Sequence, residues 1–160
     1  MSSCITLTLP YPISANRYWA TRVITPKAGG RPQSMTYVTP EARQYKERVA
    51  WMVKAAGLRA PIEGRVALHV KLFPHRPLDW QTRQRKLGAV WDDTVQCIDL
   101  GNAEKVLSDA LKGVAFGDDK WLRDIHLQRM EPDGGDARVV VTITAVPSAV
   151  VQGDLLGAAA

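Results

Sequence analysis

The sequence predicts an α+β fold in which a mixed or antiparallel sheet packs against two main helices. Two segments, which begin after Thr39 and after Asp99, carry apolar residues three and four positions apart, the spacing of an amphipathic helix. Four shorter segments have the alternation or composition of strands: residues 5–10, 65–73, 123–129 and 137–146. This order of helices and strands is typical of an α+β domain.

Both helices have start and stop signals. Thr39 can cap the first helix, and Pro40 suits its first position because the missing N–H has no helical partner there. The apolar stripe of this helix ends at Gly57. For the second helix, Asn102 is the expected cap and Gly113 the expected stop.

Three segments between these elements are predicted to be loops rich in cations and aromatic rings. They comprise residues 11–23, the Pro- and Gly-rich residues 25–34, and residues 74–90. Such loops can bind phosphates and stack on bases, although simple solvation explains the same composition. The candidate DNA contacts in them are Asn16, Arg17, Tyr18, Trp19, Arg76, Arg83, Arg85 and Lys86.

The length of 160 residues suits one hydrophobic core, so we assign residues 1–147 to a single domain and residues 148–160 to a flexible tail. No segment has the roughly 18 apolar residues of a membrane span, and the N-terminus lacks a secretory signal pattern. We therefore expect a cytoplasmic protein without a membrane partner. The two cysteines, Cys4 and Cys97, lack metal-ligand spacing and are expected to be reduced thiols.

The charge is unevenly distributed along the chain. Residues 1–91 contain 15 Lys/Arg and 4 Asp/Glu, a net charge of +11, whereas residues 92–160 contain 6 Lys/Arg and 12 Asp/Glu, a net charge of −6. A basic half attracts a polyanion and an acidic half can hold a cation, a combination that favours a metal-dependent nuclease.

Three carboxylates flank the second helix. Asp99 precedes it, and Asp118 and Asp119 follow it. Mg²⁺ prefers such oxygen ligands, provided that they meet. The helix is about 18 Å long at 1.5 Å per residue, so either residues 114–119 return along it in an extended form or two chains bring its ends together. Alternatively, the carboxylates form no metal site and only cap helix ends and turns.

Three stretches resemble one known family, the RusA-type Holliday-junction resolvases, which are common in phages and prophages. They are LTLPYPISANRYW, YVTPEARQYKERV and DLGNAEKVLSDALKGVAFGDD, and the resemblance covers most of residues 5–145. It implies a RusA-like α+β fold, a bacterial or phage setting, and a homodimer that binds four-way DNA junctions. It further implies paired symmetric cleavage, with Mg²⁺ as cofactor, Mn²⁺ as a substitute, and no nucleotide cofactor.

The resemblance assigns the roles of the family's motif residues to the residues at the matching positions of this sequence. Asp99 matches the first motif carboxylate, and Asp118 with Asp119 matches the terminal acidic pair. Asn102 matches the motif asparagine, which we place with the DNA contacts, and Lys105 matches the motif lysine. The resemblance implies that the carboxylates bind the metal and that Asp99, Asp119 and Lys105 are catalytic, the lysine assisting at the phosphate.

Gly101 departs from the family pattern, because it stands where the family has a second Asp. Asp118, Glu104 or Asp93 is a candidate for the missing ligand, and water can also fill the position. We expect activity, with a catalytically impaired junction-binding protein as the alternative. A structural or interaction protein without preference for branched DNA is a third hypothesis.

Overall fold

The computed structural model describes residues 4–148 and has an α+β architecture. Its strands are β1 (Cys4–Pro10), β2 (Trp19–Ile24), β3 (Gln33–Val38), β4 (Val66–Phe73), β5 (Leu122–Arg129) and β6 (Arg138–Ala145). Its helices are α1 (Ala15–Tyr18), α2 (Pro40–Ala55), α3 (Trp80–Leu87) and α4 (Leu100–Leu111), with 3₁₀-helices at Gly88–Thr94 and Asp119–Trp121. All but the first residue of the expected tail, 148–160, lies outside the described residues.

Four strands form one mixed sheet in the order β1-β6-β4-β5. The β1–β6 and β6–β4 pairs are antiparallel, whereas β4 and β5 are parallel. This arrangement confirms the expected α+β class with a mixed sheet. None of the helices within residues 4–148 combines the length and apolar character that crossing a membrane requires.

Period-two alternation places one face of the sheet in the core. Along β4, Val66, Leu68, Val70 and Leu72 are buried, while the residues between them are only partly buried. The helices α2 and α4 contribute the other side of this core. Since a strand turns successive side chains to opposite faces, the sheet presents a polar outer face.

Helix α2 follows its sequence signals closely. The Thr39 hydroxyl accepts a hydrogen bond from the Ala42 N–H at 3.2 Å, and Pro40 is the first helical residue. The helix ends at Ala55, just before the expected stop at Gly57. The expected cap of α4 is wrong by three positions: Asp99 is the N-cap residue, and Asn102 lies in the first turn.

Parts of the segments expected to be loops form regular structure instead. Residues 25–32 are a loop as expected, but the strands on either side of them, Trp19–Ile24 and Gln33–Val38, form the antiparallel hairpin β2–β3. This pairing depends on cross-strand contacts that loop composition does not reveal. Residues 80–87 form α3, which has no buried residue and therefore no apolar stripe to reveal it. An Arg83–Asp79 ion pair at 2.9 Å, four residues apart, supports this short helix.

A partly buried carboxylate joins three helices. Tyr18, at the end of α1, donates its hydroxyl to Asp109 of α4, and Lys46 of α2 contacts the same carboxylate oxygen at 3.0 Å. Tyr18 is 0% exposed, and burial raises the pKa of its hydroxyl, so this group remains a neutral donor. The network therefore fixes α1 against the core.

Removal of the Tyr18 hydroxyl should destabilise the protein. We expect Tyr18→Phe to lower the free energy of unfolding by about 1.5–3 kcal/mol, because Asp109 loses a charge-assisted hydrogen bond in a partly buried setting. Urea denaturation measures this change. Tyr37→Phe is the matched control, since Tyr37 is exposed and its hydroxyl should contribute less than about 0.5 kcal/mol. Equal effects of the two changes would contradict the role of the network.

Candidate nucleic-acid and metal site

A groove with a volume of about 800 Å³ lies where α1, α3 and the start of α4 meet. Asp99 and Asn102 line it from α4. Arg17 of α1, Arg83 of α3 and the preceding His75 also line it. One carboxylate and two guanidinium groups thus face a common space, which suits a ligand that carries phosphate.

The segment that leads to Asp99 is held from both sides. The Ile98 N–H donates to the Tyr11 hydroxyl oxygen at 2.9 Å, and that hydroxyl contacts the Cys97 sulfur at 3.5 Å. Arg129, the last residue of β5, donates to the Val95 carbonyl at 2.6 Å and to the Asp92 carbonyl at 2.8 Å. Burial, with the Cys97 contact, raises the pKa of Tyr11 to about 12, so its hydroxyl stays protonated.

Asp99 is exposed at the start of α4. Its backbone carbonyl accepts the Ala103 N–H at 2.9 Å, and its side chain makes no capping hydrogen bond. The Asn102 amide approaches the Asp99 carboxylate at 3.5 Å, which is long for a hydrogen bond. The carboxylate therefore has free lone pairs in a groove, as a ligand to a cation requires.

The two arginines of the groove are held by acidic partners. Arg17 contacts Glu41 at 2.6 Å, and Arg83 also donates to the Thr94 carbonyl at 2.9 Å. Because a guanidinium has several N–H donors, one contact to a carboxylate leaves others for a phosphate. Since these pairs are solvent-exposed, we attribute orientation to them rather than much stability.

The acidic pair lies at the opposite end of α4. Lys112, directly after the helix, contacts Asp118 and Asp119, each at 3.4 Å. The Lys112 charge lowers the pKa of Asp118, and the hydrogen bond to Asp119 is the main cause that raises the pKa of Lys112. Both partners are thus charged at neutral pH.

Of the two routes by which the carboxylates could meet, the structure does not contain the extended return of residues 114–119. The chain turns sharply after α4, with Gly113 at φ +79° and its N–H bonded to the Phe116 carbonyl at 2.7 Å. This turn keeps the acidic pair beside Lys112, at the opposite end from Asp99 of a twelve-residue helix that is about 18 Å long. Within residues 4–148, no three His, Cys, Asp or Glu side chains form a cluster that could hold a metal ion.

The remaining candidates occupy different environments. Lys105 is exposed near the middle of α4, between the two carboxylate positions. The expectation that Tyr18 contacts DNA is wrong, because its side chain is fully buried and leaves no surface for such a contact. Trp19 packs its ring 4.4 Å from that of Tyr18, and Arg76 lies 4.4 Å above the Trp80 ring. The others are exposed on α1 and α3: Asn16, Arg85 and Lys86.

Space for the missing carboxylate is present at Gly101. A Cβ atom built there meets no atom within 4 Å, and Gly101 is exposed in the first turn of α4. Of the candidate replacements, Glu104 accepts a hydrogen bond from Ser108 at 2.9 Å, and Asp93 lies in the 3₁₀-helix Gly88–Thr94. Asp118 remains at the far end of α4. Of these candidates, Asp118 is therefore the one that the structure separates from Asp99 by the length of α4.

Three residues that organise the site were not expected from the sequence. Tyr11 and Arg129 hold the segment before Asp99, and Lys112 holds the acidic pair. Spacing gives no signal for Tyr11 or Arg129, because their contacts span 87 and 34 residues. Lys112 has a local signal in the sequence, since this cation stands only seven residues before Asp119 and can form an ion pair with it.

The fold and the groove define a small α+β protein in which one carboxylate and two guanidinium groups line a common groove. The sequence model of the family described as Endodeoxyribonuclease RusA matches residues 10–144, most of the chain. The chain therefore belongs to the RusA endodeoxyribonuclease family, which confirms the resemblance of its three motifs. Membership supports an endonuclease and implies the family's Holliday-junction resolvase activity. A search of curated proteins found no match.

Removal of the Lys112 charge should raise the pKa of Asp118. We expect Lys112→Met to bring this pKa back towards its ordinary value, since the lysine charge is the main cause of the lowering. The ion pair stabilises the fold above the unfolded pKa of Asp118 and is lost as pH falls through the lower folded pKa. NMR titration of the Asp118 carboxyl carbon measures the change, with the distant Lys54→Met as control. An unchanged Asp118 pKa would contradict this pairing.

Proposed function

We propose that this protein is a Mg²⁺-dependent endonuclease that binds four-way DNA junctions and resolves them by paired, symmetric cuts. The observation that carries the proposal is the groove in which Asp99 faces Arg17 and Arg83, in a member of the RusA family. The carboxylate provides an oxygen ligand for Mg²⁺, and the guanidinium groups provide donors for backbone phosphates.

Asp99, Asp118 and Asp119 offer carboxylate oxygens, which are the ligands that Mg²⁺ prefers. Asp99 is exposed with free lone pairs, and Asp118 is ionised beside Lys112. We assign the metal to Asp99 and Asp119, with Asp118 in support. A bound Mg²⁺ supplies charge neutralisation at the scissile phosphate and lowers the pKa of a water molecule. Lys105 positions the phosphate from the exposed face of α4.

The separation of these carboxylates within one chain supports a homodimer with composite sites. Strand β5 is an edge of the four-stranded sheet and is largely exposed. It begins directly after the 3₁₀-helix Asp119–Trp121 and ends at Arg129, which holds the segment before Asp99. Antiparallel pairing of two β5 edges would therefore place the acidic pair of one chain near the partner's Asp99.

A catalytically impaired junction-binding protein is the second candidate. Gly101 favours it, because residues 99–102 carry one carboxylate, Asp99, where the family motif has two. The open space at Gly101 allows a direct comparison, since an Asp introduced there meets no neighbouring atom. Strong nicking by Gly101→Asp with none by the natural protein would favour this candidate.

The natural protein should nick a synthetic four-way junction symmetrically in Mg²⁺. We expect Asp119→Asn to slow nicking by about 100-fold or more, because removal of the ligand takes away several kcal/mol of transition-state stabilisation and about 1.4 kcal/mol is tenfold in rate. Strand mapping on denaturing gels measures the cuts, and a linear duplex of the same arms is the control. Binding of the junction without nicks in Mg²⁺ or Mn²⁺ would overturn the nuclease proposal.

Two inactive variants should complement each other if the sites are composite. In a mixed dimer of Asp99→Asn and Asp119→Asn chains, one site carries both changes and the other carries neither. Since random mixing makes half of all dimers mixed, about a quarter of the sites should be intact. Single-strand nicking after co-refolding measures the recovery.

The control for this experiment is the mixture of Asp99→Asn chains with Asp99→Gln chains, which cannot form an intact site. If each site instead lies within one chain, the first mixture will be as inactive as this control. That result would reject the composite site without bearing on the nuclease activity of the natural protein.

A further inference from the structure

The hairpin β2–β3 forms an arm separate from the main sheet. Its strands pair only with each other, from Trp19 opposite Val38 to Ile24 opposite Gln33. Every residue from Thr21 to Tyr37 is exposed, so neither face of the outer arm packs against the domain. A two-stranded hairpin of this kind is only marginally stable in water without a partner.

The arm carries apolar surface that its own domain does not bury. Val23 is 68% exposed, and Ile24, Met35 and Tyr37 are each about 40% exposed. Ile24, Met35 and Tyr37 belong to the same face, since their partners in register are Gln33, Arg22 and Ala20.

The charge of the arm favours a polyanion as its partner. Residues 19–38 contain Arg22, Lys27 and Arg31 and no Asp or Glu. The Arg22 guanidinium lies 5.6 Å from the centre of the Tyr37 ring, so a cation and an aromatic ring share one face. A protein surface of mixed charge would meet no acidic residue here, whereas a phosphate backbone matches the arm along its length.

The base of the arm is fixed beside the groove of the candidate site. The Thr39 N–H donates to the Tyr18 carbonyl at 3.0 Å, and the Thr39 hydroxyl donates to the Arg17 carbonyl at 2.7 Å. Arg17 itself lines the groove with Asp99. Each six-residue strand is about 20 Å long. The arm is therefore long enough to reach across the DNA major groove, which is roughly 12 Å wide.

From these observations we infer that the β2–β3 arm is a second DNA-binding element. It is a two-stranded ribbon that enters the major groove of the duplex DNA next to the cleavage site. Arg22, Lys27 and Arg31 bind backbone phosphates, and the face with Met35 and Tyr37 contacts bases or sugars. The major groove of DNA admits a two-stranded β-ribbon. This inference rests on the proposed function, because it takes the junction as the source of the duplex.

The test is the salt dependence of DNA binding by a variant with Arg22→Gln, Lys27→Gln and Arg31→Gln. In duplex DNA, the slope of log affinity against log salt falls by about 0.9 for each phosphate that the protein no longer neutralises, so we expect a fall of about 2–3. The matched control changes Lys54, Arg59 and Arg65 to Gln. These exposed residues carry the same charge and lie near the other end of α2 from the arm. Fluorescence anisotropy with a labelled junction and with a linear duplex measures both variants.

The outcomes separate this inference from the proposed function. An unchanged slope in the arm variant, or an equal change in the control variant, would overturn the inference while junction nicking by the natural protein stands. A reduced slope on duplex and junction alike, without preference for the junction, would support the arm and reject the junction function. Failure of the natural protein to bind either DNA would overturn both.

A protein partner is tested on the same arm with Met35→Ser and Tyr37→Ser together. If this change converts a dimer into a monomer in analytical ultracentrifugation while the slope for DNA stays at its natural value, the apolar face binds a second copy and the inference is wrong. Retention of the natural oligomeric state with weaker DNA binding supports the ribbon.

Discussion

The burial of one face of α4 is the constraint on which the site depends. Five apolar residues of this helix are almost completely buried against the sheet and α2: Ala103, Val106, Leu107, Ala110 and Leu111. Because close packing fixes the helix against the sheet, its two ends are held at a constant separation. Asp99 and the acidic pair therefore cannot approach each other by a local movement. A metal site that uses both is therefore the composite site of two chains that we propose above.

The basic side of the site depends on contacts that are distant in sequence. Asp109 fixes α1 through Tyr18, and α1 carries both Arg17 and the start of the β2–β3 arm. Arg129 fixes the segment that precedes Asp99. These contacts connect the groove to the buried core, so the exposed arginines gain a rigid base that ion pairs at the surface could not provide.

The sequence predicted the elements whose burial leaves a periodic pattern. Strand β4 and helix α2 were expected nearly at their observed limits, because each has one buried and one exposed face. The β2–β3 hairpin and α3 were missed, since both are exposed and carry no such pattern. For the site, the motif led to the prediction that Asp99 and the acidic pair are metal ligands, which stays a prediction. The motif could not give their separation, which depends on the turn at Gly113. Tyr18 was misassigned because an aromatic ring next to an arginine has the same composition in a core as in a binding loop.

The pairing of β1 with β6 sets the order in which the domain can form. Cys4 lies opposite Thr144 and Pro10 opposite Arg138, so the first strand finds its partner about 130 residues further along the chain. Strand β6 then separates β1 from β4, and the sheet cannot be completed in chain order. Contacts of such long sequence separation slow folding, since the loop must close before the pairing is gained. During synthesis, β1 therefore stays unpaired until β6 has left the ribosome, and the core forms only after the domain has been translated.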